Sequence, residues 1–146
     1  MNQIKKQDLK LGTHFEKVVL NFLNLQPENK DNQFVAFKNK YEPMDFINNN
    51  IIAELKTRKN HLNKYDTTMC GYNKIEEIEN NPRDGYKYVF YFLFIDGLYR
   101  WDYNKDEFYI DKGGRCDRGC EEIKDYSYIN IRYLKLVDKD LSSLKW

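Results

Sequence analysis

The sequence predicts an α/β fold in which a mixed central β-sheet is flanked by helices, formed by a single domain over residues 1–146. Three observations predict it. The length of 146 residues is that of one ordinary domain. A hydrophobic fraction of 41%, with 16% aromatic residues, is enough to build a core. Helical and strand-like apolar patterns both occur along the chain, which is typical of helices packed on a sheet.

The first expected element is an amphipathic helix over residues 7–25. Its apolar side chains recur at three- and four-residue spacing and form one stripe, namely Leu11, Phe15, Val18, Val19, Phe22 and Leu23. Pro27 follows and closes the segment, because proline cannot continue a helix.

Three short strands are expected next, over residues 33–37, 41–47 and 51–58. The asparagines 48–50 separate the last two strands. They predict a tight hairpin, because asparagine tolerates the positive φ angles of such turns. A polar loop then leads into a short helix over residues 73–78, which the Asn-Asn-Pro sequence at 80–82 ends.

The second half of the chain is expected to be mostly strands. Residues 86–95 are almost continuously apolar or aromatic, which is typical of a strand buried on both faces. A turn at Asp96 and Gly97 leads into strands over 98–103 and 107–111, and a glycine-containing loop covers 112–120. Residues 126–131 and 134–137 are expected to add a last edge strand or a short helix.

Composition and charge exclude several classes of protein. The net charge of +1 argues against binding nucleic acid through bulk charge alone, but leaves room for a local basic groove. No apolar run is long enough to span a membrane, and residues 1–6 have no apolar block behind their charges, which argues against a secretory signal. We therefore expect an intracellular protein, in the cytoplasm or in the nucleic-acid compartment of a host cell, with three reduced cysteines.

One stretch, residues 41–58, carries charged side chains at the spacing of a strand. Side chains alternate faces along a strand, so Glu54, Lys56 and Arg58 project together. Ala53 and Leu55 point to the other face, where a helix would cover them. The stretch therefore predicts one charged face and one buried face.

The asparagine turn brings a second carboxylate to the charged face. A hairpin that turns on Asn49 and Asn50 places Asp45 opposite Glu54, with Cβ atoms about 5 Å apart. Two carboxylates at that distance repel unless a proton or a cation lies between them, and Mg²⁺ or Mn²⁺ suits such oxygen ligands. On the same face, Lys56 would hold an attacking hydroxide or neutralise charge in the transition state of phosphodiester hydrolysis.

The arrangement Pro43-x-Asp45, eight residues, then Glu54-x-Lys56 resembles the PD-(D/E)XK nuclease superfamily, which has the restriction-endonuclease-like fold. The expected order of elements is similar to that family over roughly the first 100 residues. The sequence departs from the family pattern at Met44, which separates the proline from the aspartate. The small size resembles stand-alone nucleases of phages and large DNA viruses.

The resemblance implies a role for each motif residue. Asp45, Glu54 and the main-chain carbonyl of Leu55 would bind Mg²⁺, for which Mn²⁺ can substitute. Lys56 would be the catalytic lysine.

Two further catalytic candidates come from the same resemblance. Glu16 would lie where many members carry another acidic residue near the metal, although it can also be read as a helix-surface residue. Lys74 would be the extra polar residue that members carry on the helix after the motif, with Thr67 and Thr68 as weaker choices. The structural reading of Lys74 is a surface pair with neighbouring glutamates.

Basic side chains in two loops are candidates for DNA contacts. Arg58, Lys59 and Lys64 lie just beyond the catalytic strand, and Arg115 and Arg118 lie in the glycine-containing loop. Glycines would let that backbone approach phosphates closely. Solvated loops are an equally good reading of each group alone.

Two other patterns favour structural interpretations. Cys116 and Cys120 have a spacing that suggests zinc, but a structural zinc site needs a second pair of ligands, so free thiols are favoured. The tyrosine-rich run over residues 86–94 resembles a stacking platform for single strands, but its apolar character favours a buried strand.

The sequence therefore predicts a Mg²⁺-dependent deoxyribonuclease, an endonuclease whose partners are DNA and further copies of itself, as a homodimer or larger homo-oligomer. A non-catalytic DNA-binding or assembly protein that retains the fold is the alternative, and an RNA-directed nuclease is a third reading. The intact trio of Asp45, Glu54 and Lys56 favours catalysis, because a degenerate relative usually loses at least one of these charges.

Overall fold

The computed structural model describes residues 2–39, 41–114 and 123–144. Within these ranges the chain forms two helices, α1 (Gln3–Leu25) and α2 (Tyr72–Asn80), together with nine strands. The strands are β1 (Val35–Ala36), β2 (Phe46–Ile47), β3 (Ile51–Thr57), β4 (Thr67–Gly71), β5 (Lys87–Phe94), β6 (Gly97–Asp102), β7 (Phe108–Gly113), β8 (Lys124–Asn130) and β9 (Lys135–Asp138). Neither helix of the described ranges is long and apolar enough to cross a membrane.

α1 begins earlier than the apolar stripe predicts, at Gln3 instead of residue 7. The cause is a cap: the side-chain oxygen of Asn2 accepts hydrogen bonds from the backbone N–H groups of Ile4 at 2.8 Å and Lys5 at 3.3 Å. The first turn carries few apolar side chains, so periodicity gives no sign of it. α1 ends at Leu25, as predicted.

Six strands form one mixed sheet in the order β1-β2-β3-β5-β6-β9. β3 and β5 run parallel, and every other neighbouring pair in this sheet is antiparallel. The structure thus confirms an α/β fold with a mixed central sheet. The parallel pair requires a crossover connection, and β4 and α2 supply it.

Both faces of this sheet are covered. α1 packs on the face that presents Ala53 and Leu55, as the alternation predicted. On the opposite face, α2 and the strands outside the first sheet cover Ile52 and Phe90. β5 is buried on both faces, as expected, from Val89 to Phe94.

β4, β8 and β7 form a second, antiparallel sheet, which the sequence did not predict. Residues 67–71 were expected to lie in the polar loop that precedes the helix over 73–78. In the structure they form β4, in which Thr68, Cys70 and Gly71 are buried while Thr67 and Met69 are partly exposed. β7 extends to Gly113, into the predicted loop over 112–120, and the part of that loop from residue 115 lies outside the described residues.

Two strands are much shorter than predicted. The segments 33–37 and 41–47 contribute only Val35–Ala36 and Phe46–Ile47 to the sheet. Pro43 explains part of the second difference, because proline has no N–H to donate to a ladder. Near the C-terminal end, residues 126–130 lie in β8, which is the central strand of the second sheet and not the predicted edge strand. A short 3₁₀ helix follows at Ile131–Tyr133, and most of the segment 134–137 forms the edge strand β9, as predicted.

Candidate active site at the β2–β3 edge

The hairpin between β2 and β3 has the register that the asparagine turn predicts. Phe46 pairs with Ala53 and Ile47 with Ile52. Beyond Phe46 the regular ladder stops, because the backbone N–H of Asp45 donates to the Ala53 carbonyl at 2.9 Å instead of facing Glu54. The carboxyl group of Asp45 nevertheless lies close enough to Glu54 to raise its pKa.

The side chain of Asn48 closes this turn. Its side-chain amide oxygen accepts hydrogen bonds from the backbone N–H groups of Asn50 at 3.0 Å and Ile51 at 2.7 Å. The backbone N–H of Asn48 donates to the Ile51 carbonyl at 3.0 Å. Asn48 is itself buried, with 7% of its surface exposed. The turn is therefore fixed by a side chain that the chain supplies locally, as in other Asx turns.

Glu54 is the most deeply buried charged group of the site, with 2% of its surface exposed. Its Oε1 lies 3.3 Å from the Lys56 ammonium and 3.5 Å from the Lys74 ammonium. Its Oε2 is buried and has no hydrogen-bond partner among the described residues. Burial outweighs the two lysines, and the nearby Asp45 adds to it, so the pKa of Glu54 rises from 4.5 to about 7.

Asp45 lies beside the exposed edge of β3. Its Oδ2 accepts the backbone N–H of Leu55 at 2.8 Å, in the place where a longer β2 would supply a carbonyl. Within a strand, the N–H and C=O of one residue point to the same side, so the carbonyl of Leu55 faces this edge too. Asp45, Glu54 and the Leu55 carbonyl are therefore neighbours at one point of the hairpin.

α1 brings Glu16 to the same point. The pKa of Glu16 is raised from 4.5 to about 7. Burial is the largest cause, and the charge of Asp45 and a hydrogen bond between the two carboxyl groups contribute the rest of the increase. The surface reading of Glu16 is wrong, because this side chain contacts Asp45. Glu16 and Asp45 thus form a pair of neighbouring carboxyl groups at this point of the hairpin.

Lys74 is the third residue of α2, and its side chain also reaches the site. Its ammonium donates to the main-chain carbonyl of Pro43 as well as lying near Glu54, and its side chain is 18% exposed. The alternative of a purely surface pair with neighbouring glutamates is therefore wrong. Thr67 and Thr68 lie in β4 and pair with Asn130 and Ile129 of β8.

The basic DNA-contact candidates differ in their availability. The Arg58 guanidinium donates to the main-chain carbonyls of Thr57, at 3.2 Å, and Met69, and is half-buried. Lys59 forms an ion pair with Asp8 at 3.0 Å but remains exposed.

Of the remaining candidates for DNA or metal contacts, the structure describes only Lys64. Lys64 is exposed, with its ammonium 5.4 Å from the centroid of the Tyr65 ring. Arg115, Arg118, Cys116 and Cys120 lie outside the described residues.

The donor atoms fit a hard divalent cation in type. Carboxylate oxygens and a main-chain carbonyl are the ligands that Mg²⁺ and Mn²⁺ prefer, and the buried, unpartnered Oε2 of Glu54 is the kind of atom that a cation would satisfy. In the described residues no group of three or more His, Cys, Asp or Glu side chains is arranged to hold a metal ion. A cation here would thus rely on two carboxylates, the Leu55 carbonyl and water, and Mg²⁺ commonly keeps several waters.

Comparison with known proteins finds no relative. The chain matches no protein-family model, no curated protein and no solved structure. The chemistry of the site therefore has to be argued from the side chains that the fold brings together.

Sequence reasoning missed the features that set the electrostatics of this site. The alternation of charges in β3 predicted which side chains share a face, but gave no sign that Glu54 is buried. Its cover comes from elements that are distant in the sequence, including α2 and the second sheet. The direct contact of Lys74 with the Pro43 carbonyl has no sequence signal at all.

Proposed function

We propose that this chain is a Mg²⁺-dependent DNA endonuclease with a restriction-endonuclease-like fold, related to the PD-(D/E)XK nucleases. The observation that carries the proposal is the buried carboxylate of Glu54, which lies near Asp45 and is flanked by two lysine ammonium groups. A buried acid with a strongly shifted pKa and specific charged partners is more typical of a functional site than of a solvated strand face.

The cation would be held by Asp45, Glu54 and the Leu55 carbonyl. Bound Mg²⁺ polarises a phosphoryl oxygen and lowers the pKa of a bound water. To admit it, Glu54 and Glu16 must lose the protons that burial favours, and the two lysines near Glu54 stabilise its ionised form.

The lysines then have different tasks. Lys56 has a side chain that is 32% exposed, so its ammonium can reach a phosphate oxygen or an attacking hydroxide while it remains beside Glu54. Lys74 is less exposed and is bound to the Pro43 carbonyl, so it positions the loop before Asp45 and the carboxylate of Glu54. We assign Lys56 to the reacting atoms and Lys74 to their positioning.

DNA binding in this proposal depends on Lys59 and Lys64, which are exposed beyond the end of β3, with Arg115 and Arg118 as further candidates. Arg58 serves instead to tie β3 to β4, because it donates to the Met69 carbonyl. A second copy of the chain would supply the second active site needed to cut both strands of a duplex.

A cleavage assay tests the proposal. The substrates are labelled duplex, single-stranded, flapped and four-way DNA, and RNA, each with Mg²⁺, Mn²⁺ or EDTA. Lys56→Ala and Asp45→Ala are compared with matched controls on exposed residues of the same type, Lys30→Ala and Asp31→Ala. We expect metal-dependent cutting of DNA that each site variant reduces by about 10³-fold and that neither control changes.

Two results would contradict the proposal. If the wild type binds DNA but does not cut any substrate with either metal, the non-catalytic alternative holds. If RNA is cut and DNA is not, the substrate class is wrong, although the site can still be the one described.

A further inference from the structure

A second concave site lies where the chain passes twice between the two sheets. It has a volume of about 330 Å³ and is lined mainly by Asp102, Tyr103, Glu107, Arg132, Tyr133 and Lys135. The first passage leads from β6 to β7, and the second leads from β8 to β9. The volume is at the lower end of the range of about 300–1,000 Å³ that is typical of small-ligand sites. We call it the seam cleft.

The two acidic residues of the seam cleft already have partners. Asp102 lies 2.5 Å from Arg100 and 3.3 Å from Lys87. Glu107 accepts a hydrogen bond from the indole N–H of Trp101 at 3.0 Å. The charge of Asp102 is therefore balanced by cations beside the cleft, whereas Glu107 is held by a neutral donor and keeps its negative charge.

The two cations of the cleft are in the opposite situation. Arg132 and Lys135 are exposed, and within the described ranges neither forms an ion pair with a carboxylate. Arg132 is nevertheless held in place, because it donates to the hydroxyl of Tyr133 at 2.8 Å and its guanidinium lies 4.8 Å from that ring. The cleft thus presents oriented positive charge that an anion can neutralise.

The cleft also presents aromatic rings. Tyr133 and Tyr103 are each half-buried. The Tyr103 ring is supported by Trp101 and Phe108, with ring centroids 5.9 and 6.1 Å away. Rings held in this way lose little freedom when a planar ligand packs on them. Aromatic rings beside cations are the elements that single-stranded nucleic-acid sites combine, with bases on the rings and phosphates on the cations.

The seam cleft lies close to the candidate active site. Glu54 pairs with Phe90 across β3 and β5, and Phe90 pairs with Trp101 across β5 and β6. With strands about 4.8 Å apart and residues about 3.3 Å apart along a strand, the Cα atoms of Tyr103 and Glu54 are separated by about 12 Å. Phe90 and Trp101 lie between the two sites in the buried core, so a strand that reaches both has to follow the surface around the cover formed by α2 and the second sheet.

We infer that the seam cleft binds a nucleotide unit, with its phosphate on Arg132 and Lys135 and its base against the tyrosine rings. This inference rests on the proposed function, which identifies where the nucleotide comes from. It is part of the bound nucleic-acid strand and lies away from the phosphodiester bond that is cut. The same chemistry would also suit a free nucleotide, and the experiment separates the two.

The test measures binding in EDTA, so that it does not depend on cleavage. Fluorescence anisotropy follows a labelled single strand of about 12 nucleotides. This length is within the range of about 4–16 nucleotides that one single-strand-binding domain covers. The double variant R132Q/K135Q is compared with K30Q/K139Q, which removes the same charge from two exposed lysines outside the cleft. A second arm titrates free deoxyadenosine 5′-monophosphate.

We expect R132Q/K135Q to bind the strand at least tenfold more weakly than K30Q/K139Q at low salt. The slope of log K against log salt should also fall by about 0.7, because the cleft holds one phosphate and each neutralised phosphate of a single strand contributes about 0.7. Tyr133→Leu should weaken binding about tenfold, and Tyr133→Phe should weaken it less, because it keeps the ring and loses only the hydroxyl that positions Arg132. Thermal unfolding of each variant checks that the fold is intact.

The remaining outcomes decide between the sources or reject the site. If only the free nucleotide depends on Arg132 and Lys135, nucleotide chemistry is supported and the strand assignment is overturned. If both double variants bind both ligands equally, the inference is overturned. A protein that binds through the cleft but never cuts would instead reject the proposed function alone, and one that cuts with equal strand binding in both variants would reject the cleft alone.

Discussion

Two carboxylates of the six-stranded sheet each have two cationic partners, yet their pKa values move in opposite directions. The pairs are Glu54 with Lys56 and Lys74, and Asp102 with Arg100 and Lys87. The Glu54 side chain is 3% exposed, and burial raises its pKa to about 7. The Asp102 side chain is 36% exposed, and there burial is outweighed by Arg100 and Lys87, which lower its pKa.

The comparison teaches that burial, and not the number of cations, sets the state of a carboxyl group in this sheet. Asp102 takes part in ion pairs, stays ionised near neutral pH and has a structural role. Glu54 lies near the balance point between its protonated and ionised forms at neutral pH, so a small change in its surroundings decides its charge. A group in that state is suited to exchange a proton for a cation.

The largest expected difference between the two groups is in the pH dependence of stability. Folded Glu54 holds its proton more tightly than the unfolded chain does, with a pKa of about 7 against 4.5. Its contribution is therefore fully present below pH 4.5 and is lost as the pH rises through 7, by on the order of 3 kcal/mol. Urea unfolding in EDTA across this pH range should show the loss in the wild type.

The control for this prediction is Glu54→Gln, which keeps the shape of the side chain but removes its titration. Its free energy of unfolding should change less between pH 4.5 and 7 than that of the wild type. Parallel curves for the two proteins would show that Glu54 titrates as an ordinary carboxyl group and would contradict a raised pKa.

A smaller effect is expected from magnesium. At a concentration about ten times its Kd, Mg²⁺ should raise the free energy of unfolding by about 1.4 kcal/mol, which corresponds to a few degrees in Tm. The gain should grow from acid to alkaline pH, because the cation binds the ionised carboxylates. Thermal unfolding with and without Mg²⁺ measures it.

Here the comparison is direct, since Glu54→Gln should lose the magnesium effect and Asp102→Asn should keep it. An equal magnesium gain in both variants would place the cation elsewhere in the molecule.

The smallest expected effect is that of Asp102→Asn on stability itself. Because Asp102 is more than a third exposed, its ion pairs should contribute at most about 0.5–1 kcal/mol at neutral pH. Its lowered pKa gives the opposite sign to Glu54, so this contribution is present above pH 3.8 and disappears as the pH falls through the lower folded value. Urea unfolding at neutral and acid pH, at low and high salt, tests it. A loss that exceeds this range and ignores salt would contradict a surface ion pair.

The hairpin of the candidate site could be predicted from the sequence because its determinants are local. Asn48 fixes the turn through its own side chain, and the alternation of β3 fixes which residues share a face. With the turn known, counting residues predicts the pairs Phe46–Ala53 and Ile47–Ile52, and it places Asp45 near Glu54 even though the regular ladder ends at Phe46.

The electrostatics of the site could not be predicted, because they depend on contacts between distant segments. The cover over Glu54 includes α2 and a second sheet whose strands β4 and β7 read as loop or partial loop in the sequence. The early start of α1 depended on a single hydrogen-bonding side chain, Asn2. Local patterns thus predicted pairing, whereas burial required the whole fold.

The crossover between β3 and β5 has a mechanical consequence. The chain leaves the first sheet after Thr57, adds β4 to the second sheet, and enters α2 at the next residue, Tyr72, with no intervening loop. Lys74 is therefore attached almost rigidly to the second sheet, while Glu54 belongs to the first. The ion pair between them therefore links the two sheets, and a displacement of one sheet relative to the other would separate the two charges.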